Sequence, residues 1–334
     1  MTNSSHVFPA NAWYALATSE EVGRAPLGRR VLDEPVVLYR DSAGDAVALR
    51  DRCVHRPYPL SRGRVEGDCL VARYTGFVYG PDGTVRQVPT QAHVPIGAKV
   101  RSFPVVEADG FCWVWTGRPE LADRRPVPRA EWLGDEAWTT FGDVQVIEAG
   151  ADLLQDNFAD ITHIAHVDDL ISPPVLKEAP PPIEVEVTET QVRFFRDFPA
   201  ACVQPWQAEV LGVPVDSEHV QREEGEFVAP GLWVDRWHIT VDGERHTLVF
   251  THTITPVTAR QTLHHWRVSR SFVGGRAATG TMRPIFSDYY SSVAEELEIM
   301  QGVLDTDGDE RQVNTQADRA MLQMRKIMRH LADA

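Results

Sequence analysis

Over its first 125 residues the chain is cut every few positions by turn-forming sequence, and this constrains its fold more than any other feature. Short runs rich in Val, Leu and aromatic residues at 30–39, 46–49, 70–78 and 111–115 are separated by Ser42-Ala43-Gly44-Asp45, Gly80-Pro81-Asp82-Gly83 and Asp109-Gly110. β-Branched and aromatic side chains suit a pleated, half-buried surface, and Gly, Pro and Asp supply turn dihedrals. A β domain is therefore predicted. The proline-bearing connector at 124–129 marks a boundary, giving domains at 1–125 and 126–334.

Beyond the connector the period changes. Residues 147–167 are predicted to be helical: Leu153, Leu154, Phe158, Ile161 and Ile164 follow a rhythm near 3.6, with Asp152 as the N-terminal cap. Prolines at 173, 174 and 180–182 mark a rigid loop, and residues 183–273 return to strands. The chain closes in two predicted helices, 291–303 and 317–331, the second placing Met321, Met324, Met328 and Leu331 on one face. The predicted class is α+β.

A formal net charge of −15 with no Lys/Arg block argues against nucleic acid or an anionic membrane as the partner. No run reaches the length of a membrane span, and the start lacks the basic and apolar regions of a secretory signal, so a cytoplasmic protein is expected. Cys53, Cys69, Cys112 and Cys202 are too unevenly spaced for a disulfide framework.

The most informative stretch is 51–77, which carries Cys53-Val54-His55, then Pro59-Leu60-Ser61-Arg62-Gly63-Arg64, Glu66-Gly67-Asp68 and Ala72-Arg73-Tyr74-Thr75-Gly76. It resembles the cluster-binding hairpin of the Rieske oxygenases, in particular their vanillate demethylase and dicamba monooxygenase branch. The likeness extends to Phe8-Pro-Ala-Asn-Ala-Trp-Tyr14, Pro35-Val-Val-Leu-Tyr39 and Trp113-Val-Trp115. It implies an N-terminal Rieske-like antiparallel β domain followed by a helix-grip (Bet v 1/START-like) domain.

A Rieske centre uses two thiolates on one iron and two imidazoles on the other. In register with the family, Cys53 and His55 form the first pair, while the second falls on Ala72 and Thr75. A methyl cannot ligate iron, and a neutral hydroxyl replaces imidazole poorly. Cys69 lies three residues before Ala72, on the opposite face of a strand. The expectation from sequence is that no [2Fe–2S] cluster is held.

The family's mononuclear iron site resembles Asn157-Phe-Ala-Asp160-Ile-Thr-His163-Ile-Ala-His166-Val-Asp168, with Asp168 at the second histidine position and Glu296 at the downstream carboxylate. In the family the bridging Asp links the two metal sites of neighbouring subunits; here it is Asp160, facing Thr75 as its expected partner. Candidate catalytic residues are His163, His166, Asp168, Glu296 and Asp160, with His163, Asp168 and Glu296 as a candidate set for one divalent ion (Zn, Mn or Fe). A metal-free acid–base pocket is the alternative. His-x-x-His pairs also arise on helices by chance, and inherited carboxylates can do no more than hydrogen-bond. Asn157, Trp233 and His265 are expected to line a pocket for a small aromatic or heterocyclic ligand.

Three functions follow: a repurposed, non-oxidative enzyme as the leading expectation; a silent subunit in a hetero-oligomer with an active Rieske paralogue; and an oxygenase or demethylase with an unorthodox iron site. Resemblance implies a homotrimer.

Overall fold

The computed structural model describes residues 8–167, 170–178, 180–272, 275–308 and 313–333. The chain divides into two units, Ala10–Arg129 and, with Phe8 and Pro9, Ala130–Ala334.

The first unit contains β1 (Trp13–Thr18), β2 (Leu27–Val31), β3 (Glu34–Arg40), β4 (Ala46–Arg50), β5 (Arg64–Glu66), β6 (Cys69–Val71), β7 (Val78–Tyr79), β8 (Val85–Gln87), β9 (Ser102–Phe103), β10 (Val105–Ala108) and β11 (Phe111–Trp115). They form three small sheets, ordered β1-β11-β10, β2-β3-β4-β9 and β5-β6-β7-β8. Val37, Tyr39, Leu49, Leu70 and Tyr79 pack with Cys53 in one apolar cluster. Tyr14, Leu16, Leu38, Cys112 and Val114 pack in another. Burial and the nearby Glu107 carboxylate push the Cys112 thiol up to about 12, as befits an inert core thiol.

The run 30–39, expected as one strand, is a hairpin. Leu32 (φ 49°) and Asp33 (φ 64°) both sit at positive φ between β2 and β3, the two-residue turn whose twist matches the strands. Gly or Asn would have announced it; Leu hides it. The run 70–78 is likewise split, into β6 and β7 with a turn around Tyr74.

The second unit is built on one antiparallel sheet of seven strands: β12 (Thr139–Ile147), β13 (Glu184–Val187), β14 (Gln191–Cys202), β15 (Glu218–Val228), β16 (Leu232–Val241), β17 (Glu244–Thr258) and β18 (Gln261–Arg270). Their order is β12-β18-β17-β16-β15-β14-β13. Helices α1 (Ala151–Ala159), α2 (Ile164–Val167), α3 (Pro205–Leu211), α4 (Gly275–Asp307) and α5 (Arg319–Ala332) complete it. In α4, Met282, Phe286, Tyr289, Tyr290, Val293 and Leu297 are buried, spaced at helical intervals against the sheet. Met321, Met324, Met328 and Leu331 of α5 join the same core.

The expected helix over 147–167 is shorter and broken. Ile147 ends a strand, Gly150 occupies the N-terminal cap, and Asp152 sits in the first turn instead. At Asp160 the backbone is extended (φ −121°, ψ 109°), followed by a 3-10 turn, Ile161–His163, and the short α2.

Strand alternation decides what the sheet presents to the helices. Phe194, Gly225 and Asp235 lie in one cross-strand row on β14, β15 and β16. A Cβ built on Gly225 would come within 2.1 Å of the Phe194 ring, so only glycine leaves that ring its place against Trp233, 6.0 Å away between ring centres. Gly225→Ala should lower unfolding stability by about 1–3 kcal/mol, the cost of overpacking a core. Urea melts should show partial recovery when Phe194→Leu is added.

Candidate active site

His163 follows the break at Asp160, and the break orients it. Its Nδ1 lies 2.7 Å from the Asp160 carbonyl oxygen. A carbonyl can only accept, so Nδ1 carries the proton and Nε2 keeps its lone pair. Burial lowers the pKa of His163 further than the Asp160 carbonyl and carboxylate raise it, which favours the neutral ring. That Nε2 is buried without a hydrogen-bond partner, as is Oδ1 of Asn157, and both residues line the same cleft.

The Asp160 carboxylate is turned to its own loop. Its Oδ1 accepts hydrogen bonds from the Thr162 N–H (2.9 Å) and hydroxyl (2.7 Å), capping the turn that follows. His166 is exposed: one turn on from His163, past the change from the 3-10 turn to α2, it faces solvent and not the cleft. Asp168 lies outside the described residues. Glu296 is exposed as well. Helix α4 meets the cleft at Phe286, Tyr289 and Tyr290, and Glu296 stands about 9 Å farther along the axis at the helical rise.

Of the residues expected to line a pocket, Asn157 does so. Trp233 is fully buried and donates its Nε1–H to Asp235 Oδ2 at 2.6 Å. His265 is turned to the other face of the sheet, its Nδ1 2.9 Å from the Thr253 hydroxyl. The neighbouring His264 faces inward instead, since successive strand residues alternate.

The cleft also has a polar floor that the sequence did not single out. Glu223 and Asp235 line it, together with Phe158, Trp237, Phe250 and His252. Arg196 Nη1 donates to Glu223 Oε2 at 3.0 Å, and both side chains are nearly inaccessible (3% and 7%), so neither charge is relieved by water. Burial raises the Glu223 pKa despite Arg196, and raises that of Asp235 well above the usual carboxylate range, helped by the Glu223 charge. His252 Nδ1 lies 3.0 Å from His264 Nε2, and His264 Nδ1 lies 3.2 Å from the Gln145 amide nitrogen. That amide nitrogen, which also donates to the Tyr290 carbonyl, is the donor; His264 therefore donates through Nε2–H to His252, whose own Nε2–H faces the Tyr290 hydroxyl at 3.5 Å. Burial lowers His252 to about 3 and His264 well below its ordinary value, so both rings are neutral.

In the first unit, Cys53 Sγ accepts a hydrogen bond from the Tyr79 hydroxyl (3.2 Å) and lies 3.3 Å from Thr75 Oγ1. Burial raises the thiol pKa, but hydrogen bonds from the Arg56 and His55 N–H groups, Thr75 and Tyr79 outweigh it, and the net shift is downward. His55 is exposed and stacks on Phe77 with ring centres 5.4 Å apart. Cys53 and His55 open onto a surface pocket rimmed by Arg50, Arg52, Arg56, Lys99 and Arg101.

Residues 12–104 match the Rieske [2Fe–2S] domain, and residues 147–334 match the vanillate O-demethylase oxygenase C-terminal domain. The chain belongs to the Rieske oxygenase family. The vanillate O-demethylase oxygenase subunit of a Pseudomonas species is 30% identical over 72% of this chain and 77% of its own length. The dicamba O-demethylase oxygenase component of Stenotrophomonas maltophilia is 39% identical over 48% of each chain. The toluene-4-sulfonate monooxygenase iron–sulfur subunit of Comamonas testosteroni is 37% identical over 48% of this chain and 47% of its own. The chain thus aligns with about half the length of these last two relatives. A crystal structure of dicamba monooxygenase with 3,6-dichlorosalicylic acid superposes with a TM-score of 0.90 at 25% identity, covering 98% of both chains.

These findings overturn two expectations drawn from the sequence, that the family member has turned to non-oxidative chemistry and that it has dispensed with its [2Fe–2S] cluster. Its relatives are oxidative oxygenase components, and its family implies both a cluster and a mononuclear iron. The arrangement of described side chains does not by itself complete either centre. Thr75 and Tyr79 occupy the near side of Cys53, Ala72 offers a methyl, and among the described residues no three His, Cys, Asp or Glu side chains are grouped to hold a metal ion. At the mononuclear position, among the described residues, the bare Nε2 of His163 is the one imidazole nitrogen left open to a ligand. The chemistry that this chain's own residues show is that of the cleft.

Two outcomes test that cleft. Arg196→Met strands the Glu223 carboxylate in the interior and should cost about 3–5 kcal/mol in chemical denaturation, whereas adding Glu223→Leu should return most of it. Asp235 has a folded pKa raised above its unfolded value, so the stability it contributes is full below about pH 4 and is lost as pH rises. Asp235→Asn should therefore gain in melting temperature over the parent chain as pH rises above the unfolded carboxyl value of about 4, and a constant difference would contradict the assignment.

Proposed function

We propose that this chain is the oxygenase component of a multicomponent monooxygenase that hydroxylates or demethylates a small aromatic molecule. The observation that carries it is the buried, proton-free Nε2 of His163, facing a cleft walled by Phe158, Trp237, Phe250 and Phe286 in a fold shared with a dicamba monooxygenase. A neutral imidazole with its other nitrogen anchored to a carbonyl is the usual metal-ligand arrangement, and iron bound in an oxygenase supplies the dioxygen chemistry. The chain's own contribution is to hold that ring in one tautomer, stack an aromatic substrate among apolar walls and keep bulk water out.

Two further parts belong to the same reading. The cationic rim beside Cys53 and His55, in a chain of net charge −15, suits an acidic redox partner docking there. A homotrimer in the cytoplasm is the assembly we assign; among the described residues no helix is long and apolar enough to cross a membrane. Light scattering of the purified protein measures the assembly directly.

Protein expressed with ample iron and sulfide, given a reductase and a panel of methoxylated and methylated aromatics, should consume dioxygen in step with formaldehyde or hydroxylated product. His163→Ala should reduce that coupled rate at least about a hundredfold while leaving the melting temperature within a few degrees. Equal turnover by His163→Ala would remove His163 from the mechanism, and no coupled product from any substrate would remove the oxygenase reading.

A further inference from the structure

Resting on that oxygenase reading, the polarity of the cleft restricts what can enter it. Its lining carries the aromatic rings of Phe158, Trp237, Phe250 and Phe286, and among the described lining residues there is no Lys or Arg. Arg196, behind the floor, is already paired with Glu223 at 3.0 Å. Two carboxyl groups, Glu223 and Asp235, face the space instead.

An aromatic carboxylate or sulfonate placed here would be a buried anion with no cationic side chain among the described lining residues to compensate it, beside two acids. If those acids are ionised they repel it; if they are protonated they still leave its charge unbalanced. Burying an unpaired charge is among the costliest changes in a protein interior. The two orphaned atoms point the other way. Asn157 Oδ1 and His163 Nε2 are both acceptors, buried and without a donor. A ligand that donates hydrogen bonds satisfies what the cleft leaves unmet, and the Asn157 acceptor remains available when His163 is engaged by a metal.

We infer that the cleft selects an uncharged aromatic ring bearing an N–H or O–H donor, such as an aryl amide, anilide or phenol, over the aromatic anions for which the vanillate and toluene-4-sulfonate relatives are named. Asn157 is the specificity-determining residue that receives the donor.

The test compares two probes of one shape, 4-methoxybenzamide and 4-methoxybenzoate, titrated calorimetrically into the full-length protein at pH 7, once after chelation and once with Fe²⁺ added. The amide should bind at least tenfold more tightly after chelation, where no metal ion offsets the benzoate charge, and should still bind with Fe²⁺ present through the Asn157 acceptor. Asn157→Leu should weaken the amide about tenfold and leave the benzoate unchanged, with circular dichroism melts confirming the fold. Asn157→Asp, which keeps an acceptor, should retain amide binding. Benzoate binding as tightly as the amide after chelation overturns the inference; so does an Asn157→Leu protein with undiminished amide affinity, and so does a folded protein that binds neither probe. Because binding is read without turnover, a failed oxygenase assay with the predicted preference intact would sink the functional reading and leave this one standing.

Discussion

The hydrogen bond between His163 Nδ1 and the Asp160 carbonyl organises the rest of the site. The first helix stops at Asp160, and from the 3-10 turn that follows the His163 ring reaches back to the carbonyl at the start of that turn. The Asp160 carboxylate is turned to Thr162, and His166 lies in solvent. Polar residues close in sequence are thus sorted into a single inward ring and several outward groups. The lone pair left on His163 is the result.

Opposite that ring, the sheet supplies a floor in which charge is either cancelled or suppressed. Arg196 and Glu223 neutralise each other out of reach of water, and burial favours the protonated form of Asp235. Such groups contribute little net stability, since desolvation offsets much of what their pairing returns. Their persistence in the interior is consistent with a role in setting which ligands are tolerated. Phe194 and Gly225 complete the arrangement, because a larger residue at 225 would drive the ring from its place against Trp233.

Much of this was legible in the sequence, and the failures share physical causes. The β-rich first half, the strand region after residue 183 and the apolar face of the last helix followed from periodicity and turn residues. The Leu32-Asp33 turn did not, since an apolar residue at positive φ leaves no compositional mark. Helical periodicity across 147–167 could not reveal the break, because the 3-10 turn keeps the apolar residues in nearly the same rhythm. The polar floor escaped notice for a different reason. On β15 the buried residues are Gln221, Glu223, Gly225 and Phe227, a face no more apolar than the exposed one, so alternation identified a strand but not its inner side. Position-by-position comparison at Ala72 and Thr75 misled about chemistry: two substitutions weighed more in that reading than the likeness of the whole chain to working oxygenases.

The hydrogen-bonded row from Gln145 through His264 and His252 toward Tyr290 has a consequence for how the cleft responds to its surroundings. With His252 titrating only near 3 and His264 also held far down, neither ring gains charge across the range in which the protein is folded and working. The back wall therefore acts as a fixed array of dipoles, all oriented in one sense, whose field is the same in mild acid as in mild alkali. Among the described residues of the cleft, acidity reaches a bound molecule through the molecule's own groups, through His163 or through the two carboxyls beneath it.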